Sequence, residues 1–291
     1  VQYLLQLADV YESLGKHQQQ QDVAERGLAL LGERRDLTTI DFWNNLGFAL
    51  EMQSQYQQAL HYYQQASALA AKLNAEKLHI EADINIAAIY SIQDKFQEAL
   101  VLLKSSYDRA VLLKDPEILA YVNAELGLLY VGLGFDKEAI DFMEKAIEGY
   151  DALGWQKDKM DVLFNLARSY SYLEQYDKAL QSMFECIDVL KTHHSNKQVE
   201  AFALNGIGNI YFKKKDFEDA HRYFNESLAL RKEIGFKIGE ASTLQSIGRL
   251  YLEQGFTQDA LNFFNAAIQL STEINSKETL YNAYEGLSLT Y

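Results

Sequence analysis

One cysteine and six histidines are the residues of this chain that most readily bind zinc. Cys186 precedes the pair His193–His194, and cysteine with histidine can coordinate zinc. Cys186, however, occupies a position at which Ala66 and Ala146 stand in equivalent segments of the chain. We therefore expect a buried packing thiol beside a solvated histidine pair, with no metal and no cofactor.

Short glycine motifs provide no catalytic loop. Gly206-Ile-Gly208 and Gly132-Leu-Gly134 are too short to cradle a phosphate, and no strand pattern precedes them. The sequence also lacks the zinc-protease and serine-hydrolase motifs. We expect that the chain is not an enzyme. A deep pocket of convergent ionisable groups with shifted pKa values would argue for one.

The charge of the chain restricts its partners. With 27 basic and 41 acidic residues, the formal net charge is -14. This charge repels phosphate backbones and anionic lipid, so we expect neither nucleic acid nor a membrane surface as partner. No apolar run is long enough to enter a bilayer. The sequence opens at Val1 and not at methionine, which suggests a fragment of a longer, soluble protein, cytoplasmic or periplasmic.

Small residues recur with a spacing of about 40 along the whole chain, followed each time three positions later by tyrosine or leucine. This spacing is the mark of a structural repeat. The small residues are Ala8, Gly47, Ala87, Gly127, Ala167, Gly208, Gly248 and Ser288.

Each repeat predicts a pair of antiparallel helices. Apolar residues follow helical periodicity on both sides of a short polar break, and a break this short joins antiparallel neighbours. Lys114-Asp115-Pro116-Glu117 reads as a helix start, with Asp115 as N-cap and Pro116 in the first turn. The tyrosines of the repeat, such as Tyr90 and Tyr130, are expected to pack in the core.

The repeat resembles the tetratricopeptide repeat (TPR), although it is longer than the common form of about 34 residues and lacks the usual proline after the second helix. The residues that carry the resemblance are Trp43, Asn45, Leu46, Gly47, Tyr56, Ala59, Tyr63 and Ala66. The resemblance implies an all-α, right-handed α-solenoid with seven full repeats and the first helix of an eighth, in a single TPR-like superhelical domain over 1–291. Repeats are expected near 1–39, 40–79, 80–119, 120–159, 160–200, 201–240, 241–280 and, in part, 281–291.

In TPR proteins the first helices line the concave groove, so the resemblance implies where a partner binds. The face of the first helices that does not pack carries recurring asparagines with aromatic residues and arginines. An amide offers donors and an acceptor to a peptide backbone, and aromatic residues offer pockets for side chains. The predicted peptide-binding residues are Asn44, Asn45, Phe48, Asn85, Leu128, Phe164, Asn165, Arg168, Tyr172, Asn205, Asn209, Phe212 and Arg249.

The resemblance favours a non-catalytic module that recognises a protein or extended peptide. The chain is most similar to the TPR sensor arrays of bacterial signalling proteins, and would be the sensory or scaffolding part of one. Two alternatives stay open: a ligand or signalling-peptide sensor whose curvature controls an output domain outside this chain, and a eukaryotic-type adaptor scaffold. Self-association through the partial eighth repeat is also left open.

Overall fold

The computed structural model describes residues 1–192 and 196–290, and all regular secondary structure in these ranges is helical. The helices are α1 (Gln2–Ser13), α2 (His17–Leu31), α3 (Leu37–Met52), α4 (Tyr56–Lys72), α5 (Glu76–Ile92), α6 (Phe96–Leu113), α7 (Pro116–Gly132), α8 (Asp136–Leu153), α9 (Lys159–Tyr172), α10 (Tyr176–Thr192), α11 (Lys197–Lys213), α12 (Phe217–Glu233), α13 (Lys237–Glu253), α14 (Thr257–Glu273) and α15 (Lys277–Ser288). They pair as hairpins from α1–α2 to α13–α14, followed by α15, which confirms the predicted all-α repeat fold.

The chain forms two compact units. Unit 1, Val1–Trp155, contains α1 to α8, and unit 2, Gln156–Tyr291, contains α9 to α15. Within each unit every helix packs on the next one, and each first helix of a hairpin also contacts the first helix of the following hairpin. The first helices therefore form one layer in each unit. The prediction of one domain over 1–291 stays a prediction.

Most of the first helices begin a few residues before the predicted repeat boundaries, and three of them, α3, α7 and α11, begin directly after a residue whose side chain caps the helix. Asp36 forms a capping box with Thr39 at the start of α3. The Asp115 carboxylate accepts hydrogen bonds from the backbone N–H groups of Glu117 (3.0 Å) and Ile118 (3.2 Å). Because α7 begins at Pro116, the predicted start of this helix is confirmed.

The recurring small residues lie where two helices come close. Those from Ala8 to Gly248 are buried, as predicted. A Cβ placed on Gly47 would lie 2.5 Å from the Tyr63 ring, and one on Gly208 would lie 2.5 Å from the Phe224 ring. Ser288 is the exception and corrects the prediction, because it is exposed. Among the described residues α15 is the last helix, and it buries Ala283 and Gly286 instead.

Cys186 is buried in α10, as predicted, with Sγ 4.0 Å from the Met160 carbonyl oxygen. Burial raises the pKa of its thiol to about 11, with smaller contributions from Asp161 and Glu185. The thiol is therefore protonated at neutral pH and serves as a packing group. The predicted solvated pair His193–His194 lies outside the described residues.

In residues 1–192 and 196–290 no helix is both long enough and apolar enough to cross a membrane. In the same ranges no three histidine, cysteine or acidic side chains lie close enough together to hold a metal ion.

Candidate functional site

The first helices of unit 1 enclose a cavity of about 400 Å³, which we call the acidic cavity. It brings together four of the predicted residues, Asn44, Asn45, Phe48 and Asn85, with three carboxyl groups. All of its walls come from α1, α3, α5 and α7. Its lining residues are Glu12, Asn44, Asn45, Phe48, Glu81, Ile84, Asn85, Tyr121 and Glu125.

Carboxyl groups in and beside the acidic cavity have raised pKa values. Burial raises the pKa of Glu81 to about 7, and the charge of Asp41 adds to the effect although Lys77 opposes it. Burial, with Glu51 nearby, raises the pKa of Glu125 to about 7. Asp41 has its pKa raised to about 6 by burial and by Asp9. Near neutral pH these groups are partly protonated, so they can donate a hydrogen bond or ionise when a cation approaches.

Asn45 is half-buried in the cavity wall, and both polar atoms of its amide are hydrogen-bonded. Its side-chain oxygen accepts a hydrogen bond from Gln20 Nε2 (3.1 Å), and its Nδ2 donates to the Asp41 carbonyl oxygen (3.2 Å). Gln20 is fully buried and also donates to Glu12 (3.0 Å). Gln20 stands where the other repeats have alanine. Its hydrogen bonds to Asn45 and Glu12 explain why this repeat has glutamine at that position. The amide of Asn45 therefore positions the cavity wall.

The other predicted residues of unit 1 differ in accessibility. Asn44 is half-buried, and its Oδ1 atom is buried without a hydrogen-bond donor. Asn85 is half-buried in the cavity wall, and Phe48 packs edge-on against His17 at 5.9 Å between ring centroids. Leu128 is half-buried on α7 but is not part of the lining. The structure therefore brings Asn44, Asn45, Asn85 and Phe48 together in the acidic cavity, whereas Leu128 lies outside its lining.

Unit 2 contains a second cavity, about 520 Å³ in volume, between the first helices α11, α13 and α15. We call it the amide cleft, because four amide side chains line it. Four of the predicted residues meet here: Asn205, Asn209, Phe212 and Arg249. The full lining is Asn205, Asn209, Phe212, Lys213, Ser242, Gln245, Ser246, Arg249 and Asn282.

Asn205 Oδ1 is the unusual atom of the amide cleft. It is buried and has no hydrogen-bond donor among the described residues. Leaving such an acceptor unpaired costs about 1–3 kcal/mol, which a donor on a ligand would recover. Its neighbour Gln245 is engaged, because its Nε2 donates to the Thr279 carbonyl oxygen (2.9 Å). Arg249 is exposed and pairs with Glu285 at 3.1 Å.

The predicted residues on α9 do not line the amide cleft. Phe164 is half-buried, and Arg168 is exposed. Asn165 is half-buried and uses its Nδ2 to donate to the Asp161 carbonyl oxygen one turn earlier (2.8 Å). Tyr172 is exposed, with Lys213 Nζ 4.4 Å from its ring centroid. Since Lys213 belongs to the cleft, Tyr172 lies at its margin.

Sequence reasoning missed several lining residues because it followed asparagine alone. Gln245 stands three positions before Gly248, as Asn205 does before Gly208, and supplies the same amide. Ser242 and Asn282 line the cleft from equivalent positions of α13 and α15. Searching those positions for any amide or hydroxyl side chain would have found these residues.

Stacked helix hairpins with an accessible layer of first helices define this chain as a helical repeat protein. A family model described as tetratricopeptide repeat matches residues 38–111 and 199–273, which together make up half of the chain. A second model with this description matches residues 161–189. The chain therefore belongs to the tetratricopeptide repeat family. A model described as anaphase-promoting complex subunit 5 also matches residues 86–149.

Known proteins similar to this chain share its repeats at low sequence identity. Tetratricopeptide repeat protein 29 of Trypanosoma brucei brucei is 25% identical over 130 residues, which is 43% of this chain and 27% of that curated relative. The apo form of the quorum sensor NprR from B. thuringiensis has a TM-score of 0.71 at 17% identity, over 100% of this chain and 81% of that chain. A Rap protein complexed with Competence and Sporulation Factor has a TM-score of 0.67 at 15% identity, over 94% of this chain and 75% of that chain. At these identities the likeness concerns the fold.

Proposed function

We propose that this chain is a non-catalytic recognition module that binds an extended protein or peptide segment on its first helices. The amide cleft of unit 2 is the proposed binding site. The module would be the sensory or scaffolding part of a larger signalling protein. In this role it needs no cofactor, because hydrogen bonds and shape complementarity provide the binding.

The buried Oδ1 atom of Asn205 carries this proposal. It requires a donor, and the backbone N–H of a peptide is a donor that does not depend on the peptide's sequence. Asn209 and Lys213 are exposed around it and can bind the carbonyl groups of the same peptide. Phe212 is half-buried in the wall and offers an apolar contact to a peptide side chain.

The proteins of similar fold support a recognition role. One is a Rap protein complexed with Competence and Sporulation Factor, and another is a quorum sensor. We transfer from them only the kind of role, recognition linked to signalling. The net charge of -14 makes an acidic segment an unfavourable partner.

Selection of a random peptide library on the purified chain, followed by fluorescence anisotropy with a selected peptide, tests the proposal. We expect Asn205→Ala to weaken binding about five- to tenfold, the value of one neutral hydrogen bond. Asn225→Ala on α12 is the matched control, because Asn225 is exposed outside the cleft and bonds to His221 of its own helix. Circular dichroism should be the same for all three proteins. Unchanged affinity of Asn205→Ala would refute the cleft as the binding site.

A second candidate is a sensor whose shape changes when a signalling peptide binds. The similarity in fold to the quorum sensor NprR favours it. Small-angle scattering with and without the selected peptide separates the two candidates. A sensor should change its radius of gyration on binding, whereas a scaffold should keep it.

A further inference from the structure

Three hairpins contain a pair of stacked aromatic rings, one from each helix. Tyr130 stacks on Phe142 with 5.5 Å between centroids and an interplanar angle of 5°. The other two pairs have almost the same geometry: Tyr211 with Tyr223, at 5.5 Å and 6°, and Tyr251 with Phe263, at 5.3 Å and 10°. In each pair the tyrosine follows the small residue of the first helix by three positions, so the stack belongs to the repeat.

The hairpin of α5 and α6 has lost the second ring. Tyr90 is its repeat tyrosine, and Leu102 stands where Phe142, Tyr223 and Phe263 stand in the other three hairpins. Among the described residues no aromatic ring stacks on Tyr90. Lys95 Nζ lies 5.5 Å from its ring centroid.

A cavity of about 630 Å³ is lined by both Tyr90 and Leu102, the two positions that carry the stacked rings in the other hairpins. We call it the tyrosine pocket. Tyr90, Leu102, Ile86 and the exposed Val101 form its apolar wall, and Gln64 and Glu98 lie at its rim. Its walls come from α4, α5 and α6, so it lies between two second helices and is separate from the acidic cavity. A volume of about 300–1,000 Å³ is typical of sites that bury a ligand.

Two carboxylates, Asp83 and Glu98, line the tyrosine pocket, and the Lys95 ammonium lies near the Tyr90 ring. Asp83 is buried at one end and already satisfied, because it accepts hydrogen bonds from Ser67 (2.7 Å) and Arg109 (2.8 Å). Glu98 is exposed and makes no ion pair within the described parts of the chain. A basic group next to the pocket therefore has a partner in Glu98.

We propose that the tyrosine pocket binds an aromatic side chain of a partner protein, with a basic residue beside it that pairs with Glu98. The chain itself provides the precedent, because three of its own hairpins stack a ring from this position on their repeat tyrosine. An aromatic ring in the pocket gains a parallel stack on Tyr90 and buries its area against Ile86 and Leu102. The proposal is independent of the amide cleft, which lies in unit 2.

The Leu102→Phe variant distinguishes binding in the tyrosine pocket from nonspecific hydrophobic binding. It supplies from within the chain the ring that the partner would supply, in a geometry that Phe142 already adopts in the next hairpin. We expect this variant to keep its fold and its unfolding midpoint, since it fills a cavity with a ring that the repeat accommodates. Phe142→Leu is the reciprocal variant, and should open a second pocket on Tyr130.

The probe is a short capped peptide with one phenylalanine between lysines, titrated into methyl-labelled protein. We expect NMR shifts at Ile86, Val101 and Leu102 in the wild type. The Leu102→Phe variant should lose affinity by about tenfold or more, the factor for one buried, stacked ring. A peptide with leucine in place of phenylalanine should bind the wild type more weakly. The phenylalanine peptide should bind the Glu98→Lys variant more weakly than it binds the wild type.

Three results would overturn the proposal. The first is equal binding to the wild type and to Leu102→Phe. The second is a set of shifts confined to residues outside the pocket. The third is dimerisation of the free chain in sedimentation experiments that Leu102→Phe abolishes, since a second copy would then be the occupant. Because Asn205→Ala should leave this binding intact, failure here is distinguishable from failure of the proposed function.

Discussion

Arg231 lies in the interior of unit 2, and no carboxylate of the described residues pairs with it. Only 1% of its surface is exposed, and burial lowers its pKa to about 10. Its guanidinium donates to the Gly239 carbonyl oxygen and to Thr243 Oγ1 (2.8 Å), and it lies 4.8 Å from the Phe202 ring centroid. Six other repeats have leucine, alanine, tyrosine or serine at the equivalent position, so the fold does not require a charge there.

We expect Arg231→Met to leave the free energy of unfolding within about 1 kcal/mol of the wild type, or to raise it, because an unpaired buried charge disappears. Thr243 Oγ1 can still donate to the Gly239 carbonyl oxygen, 3.3 Å away. Arg231→Ala should lower the free energy of unfolding by about 2 kcal/mol or more, since it leaves a cavity. Urea unfolding measures both. A loss as large for methionine as for alanine would show that the charge itself is needed.

At the scale of the element, the hairpin is held by large side chains that pack against residues without one. The ring of Phe224 in α12 fills the space that a side chain at Gly208 in α11 would occupy. Gly132, near the end of α7, has a different environment, because a Cβ placed there would lie 3.5 Å from the Phe96 ring, an ordinary contact. The two glycines are therefore a matched pair.

Gly208→Ala should destabilise unit 2 by about 1–3 kcal/mol, because the new methyl group forces the Phe224 ring from its place. Gly132→Ala should be neutral or stabilise by up to about 1 kcal/mol, since alanine favours the helix. Thermal and urea unfolding of the two variants provide the comparison. Equal effects of the two substitutions would contradict the close approach of α11 and α12.

At the scale of the whole molecule, the burial of two carboxyl groups makes stability depend on pH. Glu81 and Glu125 have folded pKa values of about 7, above the ordinary 4.5, so the folded protein binds their protons more tightly than the unfolded chain does. Their protonation stabilises the fold as pH falls from about 7, and the gain is complete below about 4.5. The pKa of Asp115 is lowered despite burial, because backbone N–H groups and Lys77 stabilise its charge. This charge stabilises the folded protein above pH 3.8, and the stabilisation is lost as the pH falls below that value.

We therefore expect a higher unfolding temperature at about pH 5.5 than at about pH 8. The double variant Glu81→Gln with Glu125→Gln should lose most of this difference, because neither amide titrates. Calorimetry at both pH values, at constant ionic strength, measures it. The interpretation fails if the wild type unfolds at one temperature at both pH values, or if the double variant keeps the full difference.

The sequence by itself determined the helices, the hairpins and the buried small residues. These follow from helical periodicity and from contacts inside a repeat of about 40 residues, which recur along the chain. The cap at Asp115 and the burial of Cys186 were predictable for the same reason, since each depends on near neighbours. Only the resemblance to a known family placed the recognition surface on the first helices.

Tertiary structure decided what each polar side chain is free to do. Asn45, Asn165 and Asn205 look alike in the sequence, but Asn45 is engaged by Gln20 and Asn165 by its own helix. Asn205, like Asn44, keeps a buried oxygen that has no donor among the described residues. The tyrosine pocket likewise depends on α4, α5 and α6 together. Side-chain rotamers and neighbours from adjacent repeats set these outcomes, and periodicity along one chain carries no information about them.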